Sequence, residues 1–156
     1  MKLVFVNVSS RFPSWLDEVI EDYKKKLSYW FTVEVNILKP TNLDRDASAK
    51  KKAEESAVIS RVLKSDDYVI ACDEKGRVLG SKEFARRLES ILGGGKKRIV
   101  FIIGGAYGLE VDVLNRCDLK LSLSSFTLNH HMALAVIAEQ TYRAMTIIKG
   151  IKYHND

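Results

Sequence analysis

The chain has 156 residues, 46% of them hydrophobic and 29% charged, with two cysteines and a formal net charge of +5. Its length suits a single domain over residues 1–156, and its composition excludes a disordered, collagen-like or disulfide-stapled protein. The basic balance, with a pI near 9.2, favours a polyanionic partner, because each phosphate neutralised by Lys or Arg releases a counterion.

In chain order, residues 3–8 form an apolar run too short for a signal peptide, and it reads as a first strand. A first helix starts at Pro13-Ser14 and sets Leu16, Val19, Ile20, Tyr23 and Leu27 on one face, with acids early and lysines late to suit its dipole. A strand at 33–38 and a helix over about 46–63 follow. The run at 68–72 is a third strand that ends in an irregular segment, Asp73-Glu74-Lys75-Gly76. Ser81 caps a third helix carrying Phe84, Leu88, Ile91 and Leu92, and Gly93-Gly94-Gly95 ends it. Strands at 99–103 and 119–123 precede a last helix over about 130–149, apolar on nearly all faces and so buried on more than one side.

Alternating helices and near-continuous apolar strands define an α/β fold, a mostly parallel sheet with helices on both faces. Ligands of such sheets sit beyond the carboxyl ends of the strands. Chemistry is therefore expected after Cys72, Ile103 and Leu123. The loop Gly104-Gly105-Ala106-Tyr107-Gly108-Leu109 is neither a dinucleotide fingerprint nor a P-loop; alone it would be only a tight turn. With the hydroxyl-rich loop 123–130 and the segment after Cys72, it forms a set of three, suited to an adenosine-sized ligand. The basic clusters at 24–26, 50–52, 86–87 and 96–98 each read as solvated faces or turns. Cys72 and Cys117 lack metal or redox spacing and suit a reducing cytoplasm, and no stretch is long enough to span a bilayer.

Four segments carry a resemblance: FIIGGAYGL at 101–109, LSLSSFTLNH at 121–130, AEQTYRA at 138–144 and the ending Tyr153-His154. In this order and at these intervals the chain resembles the RlmH-type 23S ribosomal RNA pseudouridine-N3 methyltransferase family, of the SPOUT superfamily, over residues 2–154. The resemblance implies a C-terminal trefoil knot, S-adenosyl-L-methionine as cofactor, a homodimer, and 23S rRNA or the assembled ribosome as partner. It places the cofactor against Cys72, Gly104, Leu123, Ser124, Ser125, Phe126, Thr127 and Leu128, mostly through backbone groups. Catalytic candidates are Glu139, Arg143, Tyr153 and His154, with the last two reaching the partner subunit's pocket.

The chain has Asn129 and Leu134 where many relatives have Pro and Arg. Glu139 and Arg143, four apart on one helix, equally suit a structural ion pair. No metal is expected, since the adjacent His130 and His131 point apart at a helix start and no further ligand spacing completes a site. Alternative functions are an RNA-binding protein of the same fold without methyl transfer, a SPOUT methyltransferase acting on transfer RNA, and, least favoured, a hydrolase or phosphate-binding enzyme using Gly104-Gly105 and His130.

Overall fold

A computed structural model describes residues 1–39 and 47–155. The elements run β1 (Lys2–Val8), α1 (Ser14–Leu27), β2 (Thr32–Leu38), α2 (Ser48–Val62), β3 (Tyr68–Val78), α3 (Ser81–Gly93), β4 (Arg98–Ile103), α4 (Val111–Asn115), β5 (Leu119–Ser122) and α5 (His130–Ile148). The expected start of the second helix at Asp46 lies outside the described residues.

The strands form one sheet in the order β2-β1-β4-β3-β5, with every pairing parallel. Alternation along β1 sends Leu3 and Phe5 into a core shared with α1, α3 and α5, and Val4, Val6 and Val8 into a second core shared with α2 and α4. That two-sided burial is why the strand reads as a near-continuous apolar run, interrupted only by the buried Asn7. Phe5 and Phe101 stack across β1 and β4, with ring centroids 5.3 Å apart and planes 12° from parallel.

Helix α5 packs between α1 and α3 and also touches β1 and β4. These contacts bury most of its apolar side chains, wholly or in part, within one chain, while Met132 stays exposed. Asn129 caps its start, with Oδ1 accepting from the Met132 N–H at 2.9 Å, so the residue standing in place of proline supplies a helix cap. Leu134 is fully buried; in this chain that position belongs to the core.

Two local expectations are corrected, and one element was not expected. The third strand does not end at Cys72: it continues to Val78 through a bulge, with Cys72 and Arg77 both opposite Leu121 of β5. Gly76 lies so close to β5 that a Cβ there would meet the Leu121 N and Lys120 C atoms at 2.6 Å, so only a residue without a side chain lets the bulge close on its neighbour. Ser81 does not cap α3. Gly80 holds the cap position, its N–H donating to Glu83 Oε2 at 3.1 Å, while the Ser81 hydroxyl donates to Gln140 Oε1 at 2.8 Å. Finally, the five-residue α4 gave too short a periodic signal to be anticipated.

Candidate active site

The segment after β5 folds over the bulge of β3 and encloses a cavity of about 80 Å³. Its lining combines Cys72, Leu123, Ser124, Phe126, Thr127 and Leu128. These are six of the eight residues expected to hold a cofactor. Gly104 and Ser125 lie outside the lining; Gly104 follows Ile103, the β4 residue paired with Cys72, so it sits one strand away at the same level. Ser122, Ala133, Asp73 and Glu74 also line the cavity. The two acids belong to the irregular segment noted in the sequence. Ala133 lies on the first turn of α5, where the spacing from His130 could have indicated it.

The loop holds its own shape: the Ser122 hydroxyl donates to the Ser124 carbonyl at 3.0 Å, and the Phe126 N–H donates to the Ser124 hydroxyl at 2.9 Å. The Phe126 ring is 83% exposed at the rim. Burial pushes the Cys72 thiol up to about 12, with smaller contributions from Cys117 and Asp73, so it acts as an uncharged wall rather than a nucleophile.

A second constellation lies further along α5. Arg143 donates to Glu139 Oε1 through Nε at 3.0 Å and Nη2 at 2.6 Å, and the Tyr153 hydroxyl donates to the same oxygen at 3.1 Å. Gln140 Nε2 donates to Glu139 Oε2 at 2.7 Å. Arg143 Nη1 lies 3.2 Å from His154 Nδ1. A guanidinium only donates, so Nδ1 accepts and the imidazole proton resides on Nε2. The Arg143 guanidinium also stacks on the Tyr153 ring, 4.7 Å from its centroid, and the Tyr142 ring meets Tyr153 edge-on at 4.9 Å. All four catalytic candidates therefore converge. Tyr142 and Gln140 are members that sequence reasoning missed, although both lie inside the AEQTYRA segment.

Bonding to the Glu139 carboxylate raises the pKa of Arg143. Burial first, then hydrogen bonding with Tyr23 and the nearby Glu139 charge, raises the pKa of Tyr153 and keeps its hydroxyl a donor.

The tail reaches this cluster because α5 ends on a glycine turn. Gly150 has φ +63°, its N–H donates to the Ile147 carbonyl at 3.1 Å, and the Ile151 N–H donates to Thr146 at 2.8 Å. The left-handed residue reverses the chain so that Tyr153 and His154 fold back onto α5. From Ala133 to Glu139 the helix advances roughly 9 Å and turns through about two-thirds of a revolution beyond one full turn. Cavity and cluster of one chain thus lie on different faces of the helix.

The histidine pair differs from expectation. The rings of His130 and His131 do not point apart but meet edge-to-face with centroids 4.1 Å apart, and His131 Nε2 lies 2.9 Å from the Ser9 hydroxyl. Burial, and then the neighbouring His131, lowers the pKa of His130. Among the described residues no group of three or more His, Cys, Asp or Glu side chains converges as a metal site, and no helix is long and apolar enough to cross a membrane.

A parallel sheet with a loop-walled cavity beyond its strand ends defines an α/β protein of the class that grips a small ligand at the carboxyl edge. The family described as "Predicted SPOUT methyltransferase" matches residues 1–154. The chain belongs to the SPOUT methyltransferase family, and as a methyltransferase it requires a methyl donor. It is 46% identical over 155 residues, 99% of either chain, to "Ribosomal RNA large subunit methyltransferase H" of Bdellovibrio bacteriovorus. Proteins of the same name from Rubrobacter xylanophilus and Parabacteroides distasonis are 39% identical over 146 residues, 92% of either chain, and 32% identical over 157 residues, the full length of both.

Proposed function

We propose that this protein transfers a methyl group from S-adenosyl-L-methionine to N3 of a pseudouridine in the 23S rRNA of the large ribosomal subunit, acting as a homodimer in the cytoplasm. The observation that carries the reading is the closure of the loop after β5 over the β3 bulge, in a chain matched end to end by large-subunit rRNA methyltransferases.

The residues present suit the cofactor. Leu123, Leu128, Ala133 and the neutral Cys72 offer apolar walls for a purine, and Asp73 and Glu74 offer carboxylates to ribose hydroxyls and to a cationic group. Gly104, beside Cys72 on the next strand, and Ser125 extend this site by exposed backbone. A cavity of about 80 Å³ is smaller than the roughly 300 Å³ and upward of ordinary ligand sites, so the 123–128 loop must shift or a second chain must complete the walls.

When bound, S-adenosyl-L-methionine supplies an activated methyl to the attacking nitrogen. The chain's own part is positioning and charge. Glu139 accepts four hydrogen bonds, so it serves as the strut that orients Arg143 and Tyr153 rather than as a base. The Arg143 cation favours the anion left when the N3 imide proton departs to solvent water, and His154, protonated on Nε2, donates to a carbonyl of the base.

The homodimer is supported by two features. Cavity and cluster lie on different faces of α5, which favours a cluster serving the cavity of a second chain, with Tyr153 and His154 entering the partner's site. Trp15, Tyr29, Met132 and Ile151 remain exposed on or beside α1 and α5 and provide apolar surface for that contact. The C-terminal knot implied by the resemblance belongs to the same reading; it is supported by the return of the chain from the edge strand β5 across the sheet to place α5 on β4 and β1.

The test uses purified protein, large ribosomal subunits and labelled S-adenosyl-L-methionine, with RNA digests read by mass spectrometry. Methyl incorporation at one pseudouridine is expected. Absence of incorporation, together with no heat of cofactor binding by calorimetry, overturns the reading. A chain lacking residues 153–156, inactive alone, is expected to regain activity when mixed with a cavity-blocked chain.

A further inference from the structure

We propose that the groove between α3 and the β3–β5 edge of the sheet is a binding site for the phosphate backbone of RNA, an inference that deepens the proposed action on ribosomal RNA. The groove encloses about 370 Å³; Arg77, Arg86 and Arg87 surround it with Ser90 and a single acid, Glu83, over a floor of Leu79 and Leu119. Glu83, Arg86, Arg87 and Ser90 follow one another at helical spacing and form one exposed face of α3, while Phe84, Ala85, Leu88 and Ile91 bury the other. The groove is therefore built by fold geometry that brings Arg77 of a strand opposite two arginines of a helix.

What separates this basic group from the others is that three arginines from two elements line one concavity and, among the described residues, none of them is ion-paired. Lys24 and Lys26 are paired with Glu21 and Asp22, Arg98 is paired with Asp67, and Lys51 lies over the Tyr107 ring. Among the described residues, none of Arg77, Arg86 and Arg87 is within ion-pair reach of a carboxylate. The one acid in the groove, Glu83, accepts from the Gly80 N–H and keeps its charge, so three cations face a single carboxylate there. Arg87 has a neutral partner, the Tyr68 hydroxyl at 3.1 Å. Three guanidiniums outside any ion pair around one concavity repel each other, and an anion seated among them reverses the sign of that interaction.

The chemistry favours a phosphodiester. Guanidinium forks match phosphate oxygens in pairs, the serine hydroxyl adds a donor, and the two leucines suit the apolar face of a ribose. The position favours RNA over an acidic peptide. Arg77 and Cys72 stand opposite the same residue, Leu121, on either side of the β3 bulge, and Cys72 lines the cavity. A nucleic acid strand held in the groove therefore runs past the proposed methyl-transfer site.

The test is direct binding of a fluorescent large-subunit rRNA fragment, read by anisotropy between about 50 and 200 mM salt, for wild type, R77Q/R86Q/R87Q and R77K/R86K/R87K. The glutamine triple is expected to bind at least about tenfold more weakly at the lower salt, and its salt slope to fall by about two, as for three lost phosphate contacts at about 0.7 each on a single strand. The lysine triple, which keeps the charge but loses the paired fork, should fall between wild type and the glutamine triple. An unchanged urea midpoint shows that the fold is intact. Affinity of the glutamine triple within about twofold of wild type, or an unchanged salt slope, overturns the proposal, as does equal loss in the lysine triple. Binding is measured without methyl transfer, so arginine-dependent binding by a protein that fails to methylate would sink the proposed reaction and leave the groove standing.

Discussion

The cavity at the strand ends and the cluster along α5 are built on opposite principles. The cavity is backbone and apolar wall: its polar side chains mostly bond within their own loop, and its shape depends on how closely the β3 bulge meets β5. The cluster is side-chain chemistry, with one carboxylate oxygen taking three donors from two residues, one of them fourteen positions away in the chain. The first should be sensitive to volume and tolerant of polar substitution, and the second the reverse.

Gly76→Val strikes the cavity hardest. A Cβ there meets backbone on the next strand, which cannot move aside as a side chain would, so a loss of about 3 kcal/mol or more is expected. The urea midpoint measures it, and cofactor binding should vanish with the bulge. A stable, cofactor-binding Gly76→Val protein would show that the two strands separate easily and that the cavity is not shape-limited.

Arg143→Ala should leave the cavity alone. It removes the cation beside the proposed imide anion and frees Glu139, so kcat for rRNA methylation is expected to fall about a hundredfold or more, with cofactor affinity unchanged. If calorimetry instead shows affinity falling in step, cavity and cluster are one unit within a chain and the comparison fails.

Gly150→Ala tests the turn that delivers the tail. At φ +63° an added Cβ costs about 1 kcal/mol, and as the tail lifts from α5, kcat is expected to drop about tenfold for a similar free energy. Deletion of residues 153–156 sets the lower bound for the same assay.

The smallest effects are in the pH dependence of stability. Cys72, raised from 9.0 to about 12, holds its proton more tightly folded than unfolded. Its stabilising contribution is complete below pH 9 and lost as pH rises toward 12; urea midpoints measured from pH 8 to 10.5 should decline less in Cys72→Ala. His130, lowered from 6.5, behaves oppositely for a base. The unfolded chain binds its proton first, so stability is complete above pH 6.5 and falls on acidification. His130→Gln should flatten that part of the profile.

The grouping of the functional residues was legible to different depths. The loop 123–128 stood out because hydroxyls follow a strand and precede a helix, and six of the eight expected lining residues were found there and at Cys72. Ser125 lies outside the lining because sequence marks the loop but not which of its residues face inward, and Gly104 belongs to the neighbouring strand end. For Glu139 and Arg143, helical spacing was enough to predict contact; Tyr153 and His154 joined them only through a turn centred on one left-handed glycine.

By itself the sequence determined the strand and helix alternation and the two-sided burial of the sheet, and it marked the segments proposed to carry chemistry. These are properties of periodicity and short-range spacing, and they survive without knowing what lies opposite. Tertiary structure alone decided that β3 continues through a bulge that seats Gly76 against β5, that the Ser81 hydroxyl serves Gln140 rather than its own helix, and that Arg77 lines one groove with Arg86 and Arg87. Each depends on which residues distant in the chain come within a few ångströms, and local pattern carries no record of that.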